Sequence, residues 1–77
     1  MFSMTDTGRR IGRFRKNSNL TQMALADLMG VSFQAVSNWE RGVSMPDISK
    51  LPELSRILKV KIDDILTDGD TENSSTC

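Results

Sequence analysis

The 77-residue chain has no histidine, and its one cysteine is the last residue, Cys77. An internal disulfide and a cysteine- or histidine-based metal site therefore have no ligands to form from. Cys77 is expected to be a loose end that can at most cross-link two chains in air. No enzyme and no cofactor are expected either. The only adjacent carboxylates, Asp63 and Asp64, fall at a predicted helix start, where the dipole favours negative charge. No apolar run approaches the roughly 18 residues that cross a bilayer. The opening Met-Phe-Ser-Met-Thr-Asp lacks the basic start and apolar run of a secretory signal. A cytoplasmic protein without a membrane partner is expected. There are no internal repeats and no strand-like alternation.

Hydrophobic content of 38% with 26% charge suits one small soluble domain of modest stability. The formal net charge is zero, but it is unevenly spread. Residues 1–41 carry six basic against three acidic side chains, a net +3, and residues 42–77 carry four against seven, a net −3. Such asymmetry suggests one face built for an anion and another that repels it.

The most informative stretch is Leu20 to Gly42. Thr21 can cap a helix whose Leu25, Ala26 and Met29 share one face, and Gly30 ends it. Ser32 is a second cap, with Val31 and Val36 at hydrophobic-staple spacing. Val36 and Trp39 face inward, Gln34, Ser37 and Asn38 outward, and Gly42 supplies a left-handed end. Ala26 and Ala35 are small enough for two steeply crossed helices to approach. The pattern is a helix-turn-helix. Trp39 could be mistaken for a base-stacking residue, but its spacing from Val36 favours the core.

Around that pair, residues 1–5 are expected to fray. A helix from about Asp6, its cap, to Lys16 would bury Ile11 and Phe14, weakened by Gly8 and Gly12 at up to about 1 kcal/mol each. Asp47 can cap a fourth helix with Leu51, Leu54 and Leu58 inward. Pro52 is awkward there: either Ile48 to Leu51 is a separate tight turn, or the first turn is distorted. A short fifth helix spans Ile62 to Leu66. From Thr67 the acidic and polar tail has no large apolar side chain and should be disordered. The domain is thus 6–66.

Leu20-Thr21-Gln22, Leu25-Ala26, Gly30-Val31-Ser32, Val36-Ser37 and Trp39-Glu40-Arg41-Gly42, with Pro46-Asp47 behind, together resemble the DNA-binding domain of the phage repressor and Cro type. The resemblance covers about residues 7 to 66 and implies an all-α, five-helix, lambda repressor-like bundle. It also implies a sequence-specific transcription regulator, read as a repressor, that binds a double-stranded DNA operator as a homodimer. No small-molecule ligand is evident. Met23 and Leu28 are apolar where the family more often has polar, exposed residues, and Lys61 stands where a Ser or Asp cap is common.

A recognition helix of this kind, here about 33–41, lies in the major groove with its N-terminal residues at base edges. That makes Gln34 the main base reader and Asn38 the second, each able to pair with adenine N6 and N7, with Phe33 at a thymine methyl and Ser37 beside them. The bland alternatives are a solvated face for Ser37 and Asn38 and partial burial for Phe33. Thr21, Gln22 and Ser32, at the two helix starts, are candidate phosphate contacts. Arg10, Arg13 and Arg41 are longer-range candidates, or merely solvated charges. The resemblance further implies a partly buried ion pair between Arg15 and Glu40, the alternative being two unpaired surface charges. The competing function is a protein-interaction module that keeps the fold without specific DNA binding, which Met23 and Leu28 would suit if exposed.

Overall fold

The computed structural model describes residues 4–66, so the tail and Cys77 lie outside the described residues. The order is α1 (Met4–Asn17), α2 (Gln22–Met29), α3 (Phe33–Arg41), a 3-10 turn (Ile48–Lys50), α4 (Leu51–Leu58) and α5 (Ile62–Leu66). No strand occurs among the described residues.

Helix α1 buries Thr7, Gly8, Ile11, Gly12 and Arg15, a stripe at helical spacing. Its start differs from the expectation. Met4 and Thr5 are already helical, and Asp6 lies within the first turn, 3.7 Å from exposed Arg9, instead of capping it. The reason is a tertiary one. The Thr5 backbone packs on the end of α3 so closely that a Cβ at Gly42 would sit 2.9 Å from the Thr5 Cα. One turn along, a Cβ at Gly8 would stand 2.1 Å from the Trp39 carbonyl oxygen. The glycine that lowers helix propensity is what lets α1 touch the α3 backbone. At the other end Asn19, at φ +59°, takes the left-handed conformation that Asn tolerates, and the Leu20 amide closes on the Arg15 carbonyl at 3.1 Å.

Helices α2 and α3 each present an apolar stripe to the core: Leu25, Ala26 and Met29 from one, Val36 and Trp39 from the other. These meet Ile11 of α1, Leu51, Leu54 and Leu58 of α4, and Ile65 of α5 in a single cluster. Burial of these side chains, at roughly 1.5–3 kcal/mol each, holds helices too short to persist alone.

The Pro52 ambiguity resolves as a separate turn. Ile48–Lys50 is 3-10, and α4 begins at Leu51, so that Pro52 occupies the first turn, where its missing amide hydrogen costs no intrahelical bond. Asp47 makes no side-chain cap; its backbone carbonyl accepts from Lys50 at 2.8 Å. The Lys50 ammonium donates to the Met29 carbonyl at 3.3 Å and so ties this turn to the end of α2. Helix α4 ends at Lys59, at φ +62°. Before α5, the Lys61 amide is satisfied by the Asp64 carboxylate at 3.2 Å, one half of a capping box, so a lysine at the cap position is tolerated.

Candidate nucleic-acid interface

The corner between α2 and α3 is built from local hydrogen bonds. Thr21 Oγ1 accepts from the Ala24 amide at 3.0 Å, and Ser32 Oγ from the Ala35 amide at 3.1 Å. Gly30, at φ +69°, turns the chain, and the Val31 amide closes on the Ala26 carbonyl at 3.0 Å. Both caps are exposed, so the first amides of α2 and α3, which have no intrahelical acceptor, start at the surface.

With Val36 and Trp39 anchored inward, α3 turns Phe33, Gln34, Ser37, Asn38 and Arg41 outward. Phe33 is 48% exposed, Gln34 and Arg41 are exposed, and Ser37 and Asn38 are half-buried. The Asn38 Oδ1 accepts from Gln34 Nε2 at 3.1 Å and from Arg41 Nη2 at 2.8 Å. Arg41 therefore lies on the same strip as Gln34 and Asn38.

Behind the corner, Arg15 and Glu40 form a fork-to-fork pair: Nε to Oε2 at 2.6 Å and Nη2 to Oε1 at 3.1 Å, with side chains 10% and 12% exposed. Arg15 Nη1 also donates to the Leu20 carbonyl at 2.6 Å. Gln22 Nε2 donates to Glu40 Oε1 at 3.0 Å. One carboxylate thus holds the start of α2 and the end of α1 to α3. The Gln22 amide is half-buried and engaged with Glu40, so a phosphate at that helix start meets the backbone amides first.

Arg10 corrects the sequence expectation. It is only 6% exposed, with Nε on the Ile65 carbonyl at 2.9 Å and Nη2 on the Leu66 carbonyl at 2.8 Å. Its cation is spent on the C-terminal end of α5, where the dipole favours it, and cannot also reach a phosphate. Arg13 does remain exposed, its guanidinium 5.4 Å from the Phe14 ring centroid. Together with Arg9 and Lys16, which sequence reasoning passed over, it lines a shallow cleft above Gly8, Gly12 and Glu40. Their spacing of four and three residues was the available signal. Met23 and Leu28 are 60% and 53% exposed. Among the described residues no cluster of carboxylates or thiols could hold a metal ion, and no helix is long and apolar enough to cross a membrane.

Residues 11–65 match the family described as "Helix-turn-helix". The chain belongs to this helix-turn-helix family. It is 36% identical to the HTH-type transcriptional activator BcrR of Enterococcus faecalis, over 86% of this chain and 35% of that protein. It is 44% identical to the HTH-type transcriptional regulator DicA of Escherichia coli, over 68% of this chain and 38% of that protein. The P22 c2 repressor, solved in complex with a synthetic operator, superposes with a TM-score of 0.75 at 38% identity, over 79% of this chain and 92% of that one. The five-helix, lambda repressor-like bundle is thus the fold of this helix-turn-helix chain. It spans just over a third of the length of the curated relatives BcrR and DicA.

Proposed function

We propose that this chain binds double-stranded DNA sequence-specifically and acts in transcription regulation, with α3 in the major groove. The observation that carries this reading is the outward strip of α3, Phe33, Gln34, Ser37 and Asn38, standing beside two exposed, capped helix starts. Side chains able to read base edges and amides able to hold phosphates face out from one rigid corner. The likeness to an operator-bound repressor supports it.

In this reading Gln34 is the principal base reader, Asn38 and Ser37 flank it, and Phe33 packs on a thymine methyl. Thr21, Gln22 and Ser32 place the helix starts against phosphates, and Arg13 and Arg41 add longer-range charge. Arg10 has no part in it. One such helix covers few base pairs, so a homodimer binds half-sites one helical turn, about 34 Å, apart.

Selection of bound duplexes from a random pool at low salt tests the reading. Enrichment of a two-fold-symmetric motif with half-sites one turn apart is expected. The exposed Met23 and Leu28 favour a second reading, a protein-interaction module on the same fold. Failure to retain any duplex would decide for that alternative.

A further inference from the structure

The strip Gln34, Asn38, Arg41 runs at i, i+4 and i+7 along α3, and its hydrogen bonds converge on one atom. Asn38 Oδ1 accepts from Arg41 Nη2 at 2.8 Å and from Gln34 Nε2 at 3.1 Å. A guanidinium has five N–H donors and no acceptor. The Asn38 atom facing it must therefore be the carbonyl oxygen, since the amide nitrogen there would set donor against donor. The Gln34 atom facing that oxygen must in turn be nitrogen. One donor-only group orients two side-chain amides.

We propose that Arg41 is a specificity-positioning residue: by occupying Asn38 Oδ1 it turns Asn38 into a hydrogen-bond donor toward DNA, selecting guanine over adenine at the base pair Asn38 meets. The inference rests on the DNA-reading function proposed above. An unconstrained Asn pairs with adenine by accepting from N6 and donating to N7. Here both lone pairs of the Asn38 oxygen are already engaged, so an adenine N6 amino group would find no acceptor. The two Nδ2 hydrogens suit guanine, whose O6 and N7 are both acceptors. Gln34 differs. It gives one Nε2 hydrogen to Asn38 and keeps Oε1 and the other hydrogen, the combination adenine needs. Two similar amides, one turn apart on one helix, thus read different purines.

The test uses the full chain and variants Asn38→Ala, Arg41→Met and Arg41→Lys in selection from random duplexes, followed by titration of the selected site and single-base changes. Asn38→Ala locates the base pair. There the parent should prefer guanine over adenine by about five-fold or more, the worth of one well-made hydrogen bond. Arg41→Met should erase or invert that preference. Arg41→Lys should retain it, because an ammonium is also a donor without an acceptor. Thermal unfolding of all three variants checks that the substitutions leave the fold intact. A parent preference for adenine at that base pair would overturn the inference. So would an Arg41→Met variant that weakens all sites equally, the mark of a phosphate contact alone. In both those cases the DNA-reading function stands. If the parent enriches no site at all, that function and this inference fall together.

Discussion

Glu40→Gln tests the joint on which the recognition helix is mounted. The Glu40 carboxylate accepts three hydrogen bonds, two from the Arg15 fork and one from Gln22, with about a tenth of each ion-pair side chain reached by solvent. Glutamine keeps the shape but loses the charge, and its NH2 must face one of the guanidinium donors. Arg15 is left as a cation with its fork half unmet, held by the one remaining side-chain oxygen at position 40 and by the Leu20 carbonyl. Stranding one member of a buried pair costs about 3–5 kcal/mol, and the solvent-touched edge puts this one near the lower figure, about 3 kcal/mol. A domain of this size has roughly 3–9 kcal/mol in all. At 4–8 °C per kcal/mol, Tm should fall by roughly 12–24 °C. Thermal unfolding followed by helical circular dichroism, with urea titration beside it, measures both quantities. Arg15→Met strands Glu40 in turn, so the double variant should lose less than the two single losses together. A Glu40→Gln chain melting within about 3 °C of the parent would refute the reasoning, since the pair would then count for no more than a surface bridge.

Gly8→Ala improves helix propensity by about 1 kcal/mol yet pushes a methyl group into the α3 backbone, so net destabilisation of about 1–3 kcal/mol is expected in urea unfolding. A more stable variant would show that α1 can retreat freely. Arg10→Met should lower stability by about 2 kcal/mol through the lost bonds to the Ile65 and Leu66 carbonyls, with the salt dependence of DNA binding unchanged. A shallower salt slope in that variant would restore Arg10 as a phosphate contact. Gln34→Ala should relax preference at one base pair and leave the others; an unaltered selected motif would contradict its role as reader. With Arg13 and Arg41 as the two cations that neutralise phosphates in each subunit, log affinity should fall with log salt at a slope of about −1.8 per subunit, and a flat dependence would count against the proposed face.

The central corner was legible residue by residue because everything that makes it is local. Thr21 and Ser32 cap amides three residues ahead, and Gly30 and Gly42 end helices at the positions where a left-handed residue is needed. The apolar spacing of Leu25, Ala26 and Met29, and of Val36 and Trp39, identifies the inward faces, because the side-chain period of a helix does not depend on what it packs against. Pro52 left two readings open, and only the packed chain chose between them. Asp47 looked like a cap by residue type, yet the chain enters the 3-10 turn with that side chain unused.

What the amino-acid order determined by itself, then, is the set of helices, their inward stripes and the outward strip of α3, since each is decided within a turn or two of chain. Tertiary structure decided which charges are available. Arg10 and Arg13 sit three residues apart on one helix, but Arg10 is consumed by carbonyls 55 and 56 positions away while Arg13 stays at the surface. The family resemblance implied the pair between Arg15 and Glu40, but the bond that Gln22 makes to the same carboxylate from 18 positions off appears only in the packed chain. Burial and charge pairing depend on which distant segments a fold brings within about 3 Å, and no local pattern carries that information.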